Sequence, residues 1–348
     1  MTDESPYLSI VAVSRNDDHG GELLQRMQHF IDSLFEQCNR YQIDTELIIV
    51  EWNPPRDRKS LFDVIVWPKV GRYLTTRIIT VPEELHNKLN FAEKIPLFQM
   101  IGKNVGIRRA KGQFILATNI DIIFSNELME FISKRQLNRG IVYRTNRIDV
   151  DSDIPKNIPL EEKLTFCRTH VIRTNLKYFI FNFSNLEALI QEIIKSPPLI
   201  GYYFKNMMYK FKIPRMHYNA CGDFTLMAKE HWDALCGYPE LEIFSLHLDS
   251  LFLMATFYSG LKEQVLHPPR ETYHIEHTIG SGITPGTGQK MLFKRLESNH
   301  IPFLTWRDCV NLAQKYKKES IDGKIPVTCN KDSWGLKDIR LPEKIVGD

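Results

Sequence analysis

The residues whose types and spacing invite chemistry lie in one short run of this chain, Gly112 to Ser125, GQFILATNIDIIFS. Four apolar residues, Phe114 to Ala117, have the length and composition of a strand buried on both faces. The run then breaks into Thr118-Asn119-Ile120-Asp121. Polar groups at the carboxyl end of a buried strand sit where open α/β sheets bind ligands. In extended backbone Asn119 and Asp121 point the same way, because side chains alternate with a period of two. One carboxylate and one amide oxygen then face a divalent cation or a ribose together. A hard cation held by a carboxylate, with phosphate oxygens completing its shell, is a usual way to bind a nucleoside diphosphate. The plainer alternative is a strand ending in an Asx turn.

The flanking elements must position that run. Tyr7 to Ser14 (YLSIVAVS) reads as an apolar strand, followed by Arg15-Asn16-Asp17-Asp18. Between Glu22 and Tyr41, Leu23, Leu24, Met27, Phe30, Ile31, Leu34, Phe35 and Cys38 recur at helical spacing, which predicts an amphipathic helix. Thr45 to Val50 is a second buried strand, closed by Glu51-Trp52-Asn53-Pro54-Pro55, and Arg77 to Val81 is a short third. Ile95 to Ala110 reads as a helix carrying Lys103, Asn104 and Arg108. The order strand, helix, strand, strand, helix, strand predicts an α/β fold with a doubly wound, mostly parallel central sheet flanked by helices.

After Asn126 the pattern changes. A helix around Glu127 to Gln136 and a strand at Ile141 to Tyr143 lead to a polar linker, Asp149 to Pro159. From Phe166 to His217 the chain is aromatic and basic. Its part 199–217, LIGYYFKNMMYKFKIPRMH, is either an amphipathic surface for peripheral membrane contact or a lobe that packs its aromatics internally.

With 348 residues, 43% hydrophobic and 25% charged, the composition is that of an ordinary globular protein, long enough for one large α/β domain with a lobe or for two smaller domains. Lys plus Arg at 45 against Asp plus Glu at 42 leaves a net charge of +3, and no basic run argues for nucleic acid. The six cysteines include no CxxC pair; their even count permits disulfides, but in a chain of this size free buried thiols in a reducing cytosol are expected. The acidic start and short apolar run are not expected to act as a signal peptide, and no stretch reaches the ~18 apolar residues of a membrane span. The expected location is cytoplasmic, with peripheral contact at the inner membrane face as an option.

From about Tyr7 to His277 the order of signals resembles the GT-A nucleotide-sugar glycosyltransferases, in particular the inverting family 2-like group. Ser14-Arg15-Asn16 is similar to that family's first nucleotide-contacting turn, and Glu51 falls where it has a base-contacting Asp. Lys103 to Gly112 resembles its N-x-G-x-x-x-A-x-G helix, and Asn119-Ile120-Asp121 occupies the place of its DxD motif. Gly222-Asp223-Phe224 with Leu226-Met227-Ala228 resembles the strand and turn above the sugar. Gly237-Tyr238-Pro239-Glu240 stands for GGFDE, and Leu248-Asp249 for the segment whose Asp is the catalytic base. His274-Ile275-Glu276-His277 lies where several members supply a metal-ligating histidine. Asn330 to Leu336 is similar to a late loop that folds over the donor. This chain differs in having Asn119 for the first DxD carboxylate, Glu51 for Asp, and no Glu before Asp249.

The resemblance implies a metal-dependent, inverting hexosyl- or N-acetylhexosaminyltransferase. Its donor would be a UDP-type nucleotide sugar and its acceptor a glycan or lipid-linked hydroxyl, in cell-surface polysaccharide synthesis. It implies a nucleotide-sugar-binding half at 1–150, an acceptor and catalytic part of the same domain at 151–280, with a smaller acceptor-side lobe, and a helical, donor-covering tail at 281–348. Ser14, Asn16, Glu51, Asn104, Arg108, Asn119 and Asp121 would contact the donor. Asp121 and one of His274 and His277 would hold Mn²⁺ or Mg²⁺, imidazole favouring Mn²⁺. Three residues apart on an extended strand, the two histidines point oppositely, so one is expected to ligate and the other to orient or cap. Asp249 would be the general base; the alternative is a helix N-cap, since LDSLFLMATF begins a helical pattern. Asp223 is the rival base or a holder of sugar hydroxyls. Lys103, Arg108 and Arg109 assist the phosphates or are ordinary helix charges. Two alternatives stay open: a sugar-nucleotide-binding protein without transferase activity, and a nucleotidyltransferase, though SRNDDHGG lacks a Gly-rich phosphate loop. The chain shows neither G-x-G-x-x-G after a strand nor a G-x-S-x-G elbow, which argues against dehydrogenases, methyltransferases and serine hydrolases.

Overall fold

Every side chain of the first strand, β1 (Leu8–Ser14), is buried, because the strand lies inside a sheet covered on both faces. Leu8, Ile10 and Ala12 belong to one core, Val11 and Val13 to the other. The computed structural model describes residues 5–69, 71–174, 212–277, 287–326, 328, 330 and 332–347. After β1 come α1 (Leu23–Arg40), β2 (Thr45–Trp52), α2 (Leu61–Val64), β3 (Leu74–Val81), α3 (Glu83–His86) and α4 (Gln99–Arg109). Next are β4 (Phe114–Ala117), β5 (Ile122–Phe124), α5 (Asn126–Ser133), β6 (Ile141–Thr145), β7 (Arg147–Val150), α6 (Leu160–Thr169) and β8 (Val171–Thr174). The later part holds β9 (Thr225–Ala228), α7 (Lys229–Ala234), α8 (Leu248–Tyr258), β10 (Lys262–Leu266) and β11 (Thr272–Ile275). It continues with α9 (Thr287–Ser298), α10 (Trp306–Ile321), a 3-10 turn at Trp334–Leu336, and β12 (Glu343–Ile345).

Among the described residues, eight strands form a large sheet in the order β10-β6-β9-β4-β1-β2-β3-β12. Its centre, β4-β1-β2-β3, is parallel; β9 runs antiparallel to both β4 and β6, and β12 antiparallel to β3. Helices cover both faces. α1 lays Leu23, Met27, Phe30, Ile31, Leu34 and Cys38 on one, each large apolar side chain contributing ~1.5–3 kcal/mol by burial. The cluster on the other face draws its residues from α4, α8 and α10. The molecule is thus a mixed α/β fold with a large central sheet flanked by helices, as the sequence pattern predicts.

A second, four-stranded sheet, β5-β11-β7-β8, stands apart with its own small core of Ile123, Ile148, Val150, Leu164 and Ile275, among others. The expected polar linker from Asp149 therefore begins two residues later than proposed, because Asp149 and Val150 are the end of β7. Residues 199–211 of the candidate membrane-contacting segment lie outside the described residues, whereas Ile213, Met216 and His217 are buried. Among the described residues no helix is long and apolar enough to cross a membrane. Cys38, Cys167, Cys221, Cys236 and Cys309 are free thiols.

α4 carries the resemblance-bearing residues and lies unusually close to the sheet. Gly106 makes this possible: a Cβ there would come 2.5 Å from Val11 Cγ1 and 3.2 Å from Val50 Cγ2. Those valines are fully buried and have nowhere to move. Gly106→Ala gains ~1 kcal/mol of helix propensity, against ~1–3 kcal/mol for overpacking a filled core. A net loss of up to about 2 kcal/mol in urea unfolding is expected; a raised midpoint would show that α4 can retreat from the sheet.

Candidate metal centre

At the end of β4 the chain does not stay extended. Thr118 to Asp121 form a turn, after which β5 begins in the second sheet. The turn is fixed by the Thr118 hydroxyl, which donates to Asp223 O at 2.7 Å, and by the Ile275 amide, which donates to Asp121 O at 3.0 Å. β11 pairs antiparallel with β5, setting His274 opposite Ile122 and hence beside Asp121. β11 then ends at Ile275, and the Glu276 amide donates to Val150 O at 2.9 Å. The alternation of an extended strand thus does not reach His277. Both imidazoles turn to the same carboxylate: His277 Nε2 lies 3.2 Å and His274 Nε2 3.8 Å from Asp121 Oδ2. The expectation that the two histidines point oppositely is corrected by where the strand stops.

Ligand-type atoms of Asp121, His274 and His277 all lie within 4.8 Å of one another. Arg26, reaching in from α1, donates to Asp121 Oδ2 at 2.9 Å and also holds the His19 and Gly21 carbonyls. Burial alone would push the Asp121 carboxyl up. The two imidazoles and the Arg26 guanidinium override it and hold the group well below the usual carboxylate range. Two polar atoms of the trio, Asp121 Oδ1 and His277 Nδ1, are buried without a hydrogen-bond partner among the described residues. Gly20, at φ +79°, lies against that ring, and a Cβ there would meet His277 Nδ1 at 2.5 Å. A vacant carboxylate oxygen beside two imidazoles is a donor set that fits a divalent cation, with the nitrogens leaning to Mn²⁺.

Asn119 has side-chain partners other than Asp121. Its amide donates to Asp223 Oδ1 and accepts from Gln99 Nε2 at 2.9 Å. The other Asp223 oxygen accepts from Arg147 at 2.8 Å. Asp249 sits in the first turn of α8, half-buried, with Oδ1 accepting its neighbour Ser250's amide. Its carboxylate lies against Gly222, where a Cβ would meet Oδ2 at 3.1 Å. Asp223 and Asp249 are therefore close through the 222–223 backbone.

Ser14 ends β1 with its hydroxyl buried and without a hydrogen-bond partner among the described residues. Asn16 donates to Lys59 O at 2.8 Å, and Glu51 accepts the Leu61 amide at 2.7 Å. Burial raises the Glu51 carboxyl above its ordinary value, against that hydrogen bond. Beside these strand ends a cleft of ≈ 280 Å³ is lined by Arg15, Asn53, Arg56, Glu83 and His86, among others. Asn104 and Arg108 are elsewhere. Asn104 donates to Tyr238 O and Glu240 Oε1 and accepts from Tyr238 N, while Arg108 pairs with Asp233 at 3.5 Å and lies over the Trp334 ring. Both residues clamp later segments onto α4.

Sequence reasoning passed over Arg26, Arg147 and Asp149. Arg26 carried no signal beyond a polar position on an amphipathic helix. Arg147-Ile148-Asp149-Val150 did carry one, a polar–apolar alternation typical of a strand.

No protein-family model matches the sequence, and no curated protein matches it. Among solved structures the chain is similar to S. aureus TarS residues 1–349, at 12% identity over 91% of this chain and 72% of that one. The TM-score is 0.44, too loose a superposition to carry an argument.

Lys103, also on α4, lies fully buried beneath this region and donates to Gly222 O at 2.7 Å. Burial pulls its ammonium down from 10.5 to about 8, opposed by Asp223, Asp249 and Asp121. Between those pH values the unfolded chain holds a proton that the folded chain has released, so stability from this group rises with pH. Below pH 8 the buried charge is a standing penalty. Wild type is expected to gain on Lys103→Met by up to ~1.4 kcal/mol per pH unit across that window in urea unfolding. A difference independent of pH would mean that the ammonium is not desolvated.

Proposed function

We propose that this chain is a metal-dependent, inverting glycosyltransferase of the GT-A type. It would move a hexose or N-acetylhexosamine from a nucleotide diphosphate sugar, UDP by family tendency, to a hydroxyl of a glycan or lipid-linked acceptor. The observation that carries the reading is the convergence of Asp121, His274 and His277 at the carboxyl end of a central strand, with one Asp121 oxygen unpartnered among the described residues. The motif order from Ser14 to His277 and the cleft at the ends of β1 to β3 support it. Mn²⁺ or Mg²⁺ at that trio would supply charge neutralisation for the departing diphosphate. Ser14 and the cleft residues Arg15 and Asn53 bind the nucleoside side in this reading. Asp223, held rigid by Asn119 and Arg147, orients sugar hydroxyls, and Asp249 takes the acceptor proton. Cell-surface glycan synthesis on the cytoplasmic side fits these substrates. Asn119, engaged with Asp223 and Gln99, favours a second reading: a sugar-nucleotide-binding protein of this fold without transfer.

A thermal-shift panel of UDP, GDP and their sugars, with and without Mn²⁺, tests the donor site, because a ligand bound only to the native state stabilises it by RT ln(1 + [L]/Kd). A nucleoside diphosphate with metal is expected to raise the melting point, and Asp121→Ala to abolish the rise; an unaffected variant would remove Asp121 from the site. Asp249→Asn is expected to keep the shift while transfer falls ~10²–10⁴-fold. Retained turnover would pass the base to another group, and donor binding with neither hydrolysis nor transfer in wild type would select the second reading.

A further inference from the structure

His274 offers its two ring nitrogens to two different carboxylates. Nε2 faces Asp121, and Nδ1 lies 3.0 Å from Asp149 Oδ1. The contact is built into the backbone, since β7 and β11 pair in parallel with Asp149 directly beside His274. Asp149 is fully buried. Two guanidinium groups flank it, Arg147 on Oδ1 and Arg173 on Oδ2, the setting of a carboxylate rather than a carboxylic acid. An ionised carboxylate can only accept, so the proton between the two groups belongs on Nδ1. In the neutral ring that a ligand must be, the lone pair of His274 is then on Nε2, on the side of Asp121.

We propose that Asp149 is the positioning residue of the cation site, fixing the tautomer and ring orientation in which His274 Nε2 joins Asp121 and His277. The proposal rests on the metal reading given above. Asp149 is not itself placed to ligate. Together with His274 and Glu276 it forms a second cluster of ligand-type atoms within 4.8 Å, but guanidinium groups already fill it. Arg147 Nε lies 2.9 Å from Oδ1, Arg173 Nε 2.6 Å from Oδ2, and Arg173 Nη2 3.6 Å from Glu276. A further cation there would meet two positive charges. Arg147 also pairs with Asp223 at 2.8 Å, so the group that steadies Asp149 also steadies the proposed sugar-orienting carboxylate.

Partners of this kind, hydrogen-bonded to a ligating histidine, typically change metal affinity ~10–100-fold. The test is Mn²⁺ titration of the full chain without nucleotide, free Mn²⁺ being read by electron paramagnetic resonance, with melting curves as the fold control. Asp149→Ala is expected to weaken binding ~10–100-fold, and Asp149→Asn less, because its amide oxygen still accepts from Nδ1–H. Unchanged affinity in Asp149→Ala would overturn the proposal while leaving the metal reading intact. No Mn²⁺ binding in wild type would sink the metal reading first. A measurement on metal-free wild type guards against variants that fail to fold. Long-range ¹H–¹⁵N spectra, with the His274 signal identified by its loss in His274→Gln, should show the Nδ1–H tautomer. The Nε2–H tautomer there would overturn the proposal outright.

Discussion

A carboxylate taken out of water costs several kcal/mol unless partners replace its hydration, and Asp121 is the carboxylate around which this molecule is organised. Its partners come from well-separated stretches of chain: Arg26 from the first helix, His274 from the last strand of the small sheet, and His277 from the segment beyond it. The set is complete only when both sheets and α1 are in place. The site is therefore a product of the complete tertiary structure rather than of a local motif. Because Arg26 also grips the His19 and Gly21 carbonyls, the loop after β1 is tied to the same carboxylate.

The two sheets meet at this point for a topological reason. Three stretches of chain leave the large sheet and enter the small one: β4 into β5, β6 into β7, and β10 into β11. The second crossing takes a single residue, Asn146, and the first is the turn that carries Asn119 and Asp121. Where strands part, backbone groups lose their ladder partners, and side chains and turns must satisfy them. The Thr118 hydroxyl and the Ile275 amide do so around Asp121, and the Thr145 hydroxyl donates to Arg270 O near another crossing. Polar side chains are thus concentrated where the strands diverge, which is the concavity that ligand sites in α/β proteins use.

Much of this architecture could be read from residue types. β1, β2 and β4 stand out because burial on both faces demands unbroken apolar runs, and α1 because one face must meet the sheet. Asp121 was legible as the acid at a buried strand's end. The second sheet was not, since β5, β7 and β11 are only three or four residues long, and the alternation that β7 does show is too brief to mark a sheet by itself. That omission explains the histidines: their convergence depends on β11 stopping at Ile275, which no local pattern marks. α4 hid its orientation for the opposite reason. Met100 to Ile107 are all buried, so no amphipathic stripe distinguishes Lys103, beneath the site, from Asn104 and Arg108, which face later segments.

β12 has an effect unrelated to ligands. β3 would otherwise be the outermost strand of the large sheet, eight residues long and rich in β-branched side chains, a template on which another molecule could add a strand. The short segment Glu343–Ile345 pairs along β3 and is anchored by Arg77, which bridges Glu46 and Glu343. The new border carries Glu343 and Lys344, solvent-exposed charges on a strand of three residues. Among the described residues, a segment that touches neither Asp121 nor its histidines thereby discourages self-association through that flank.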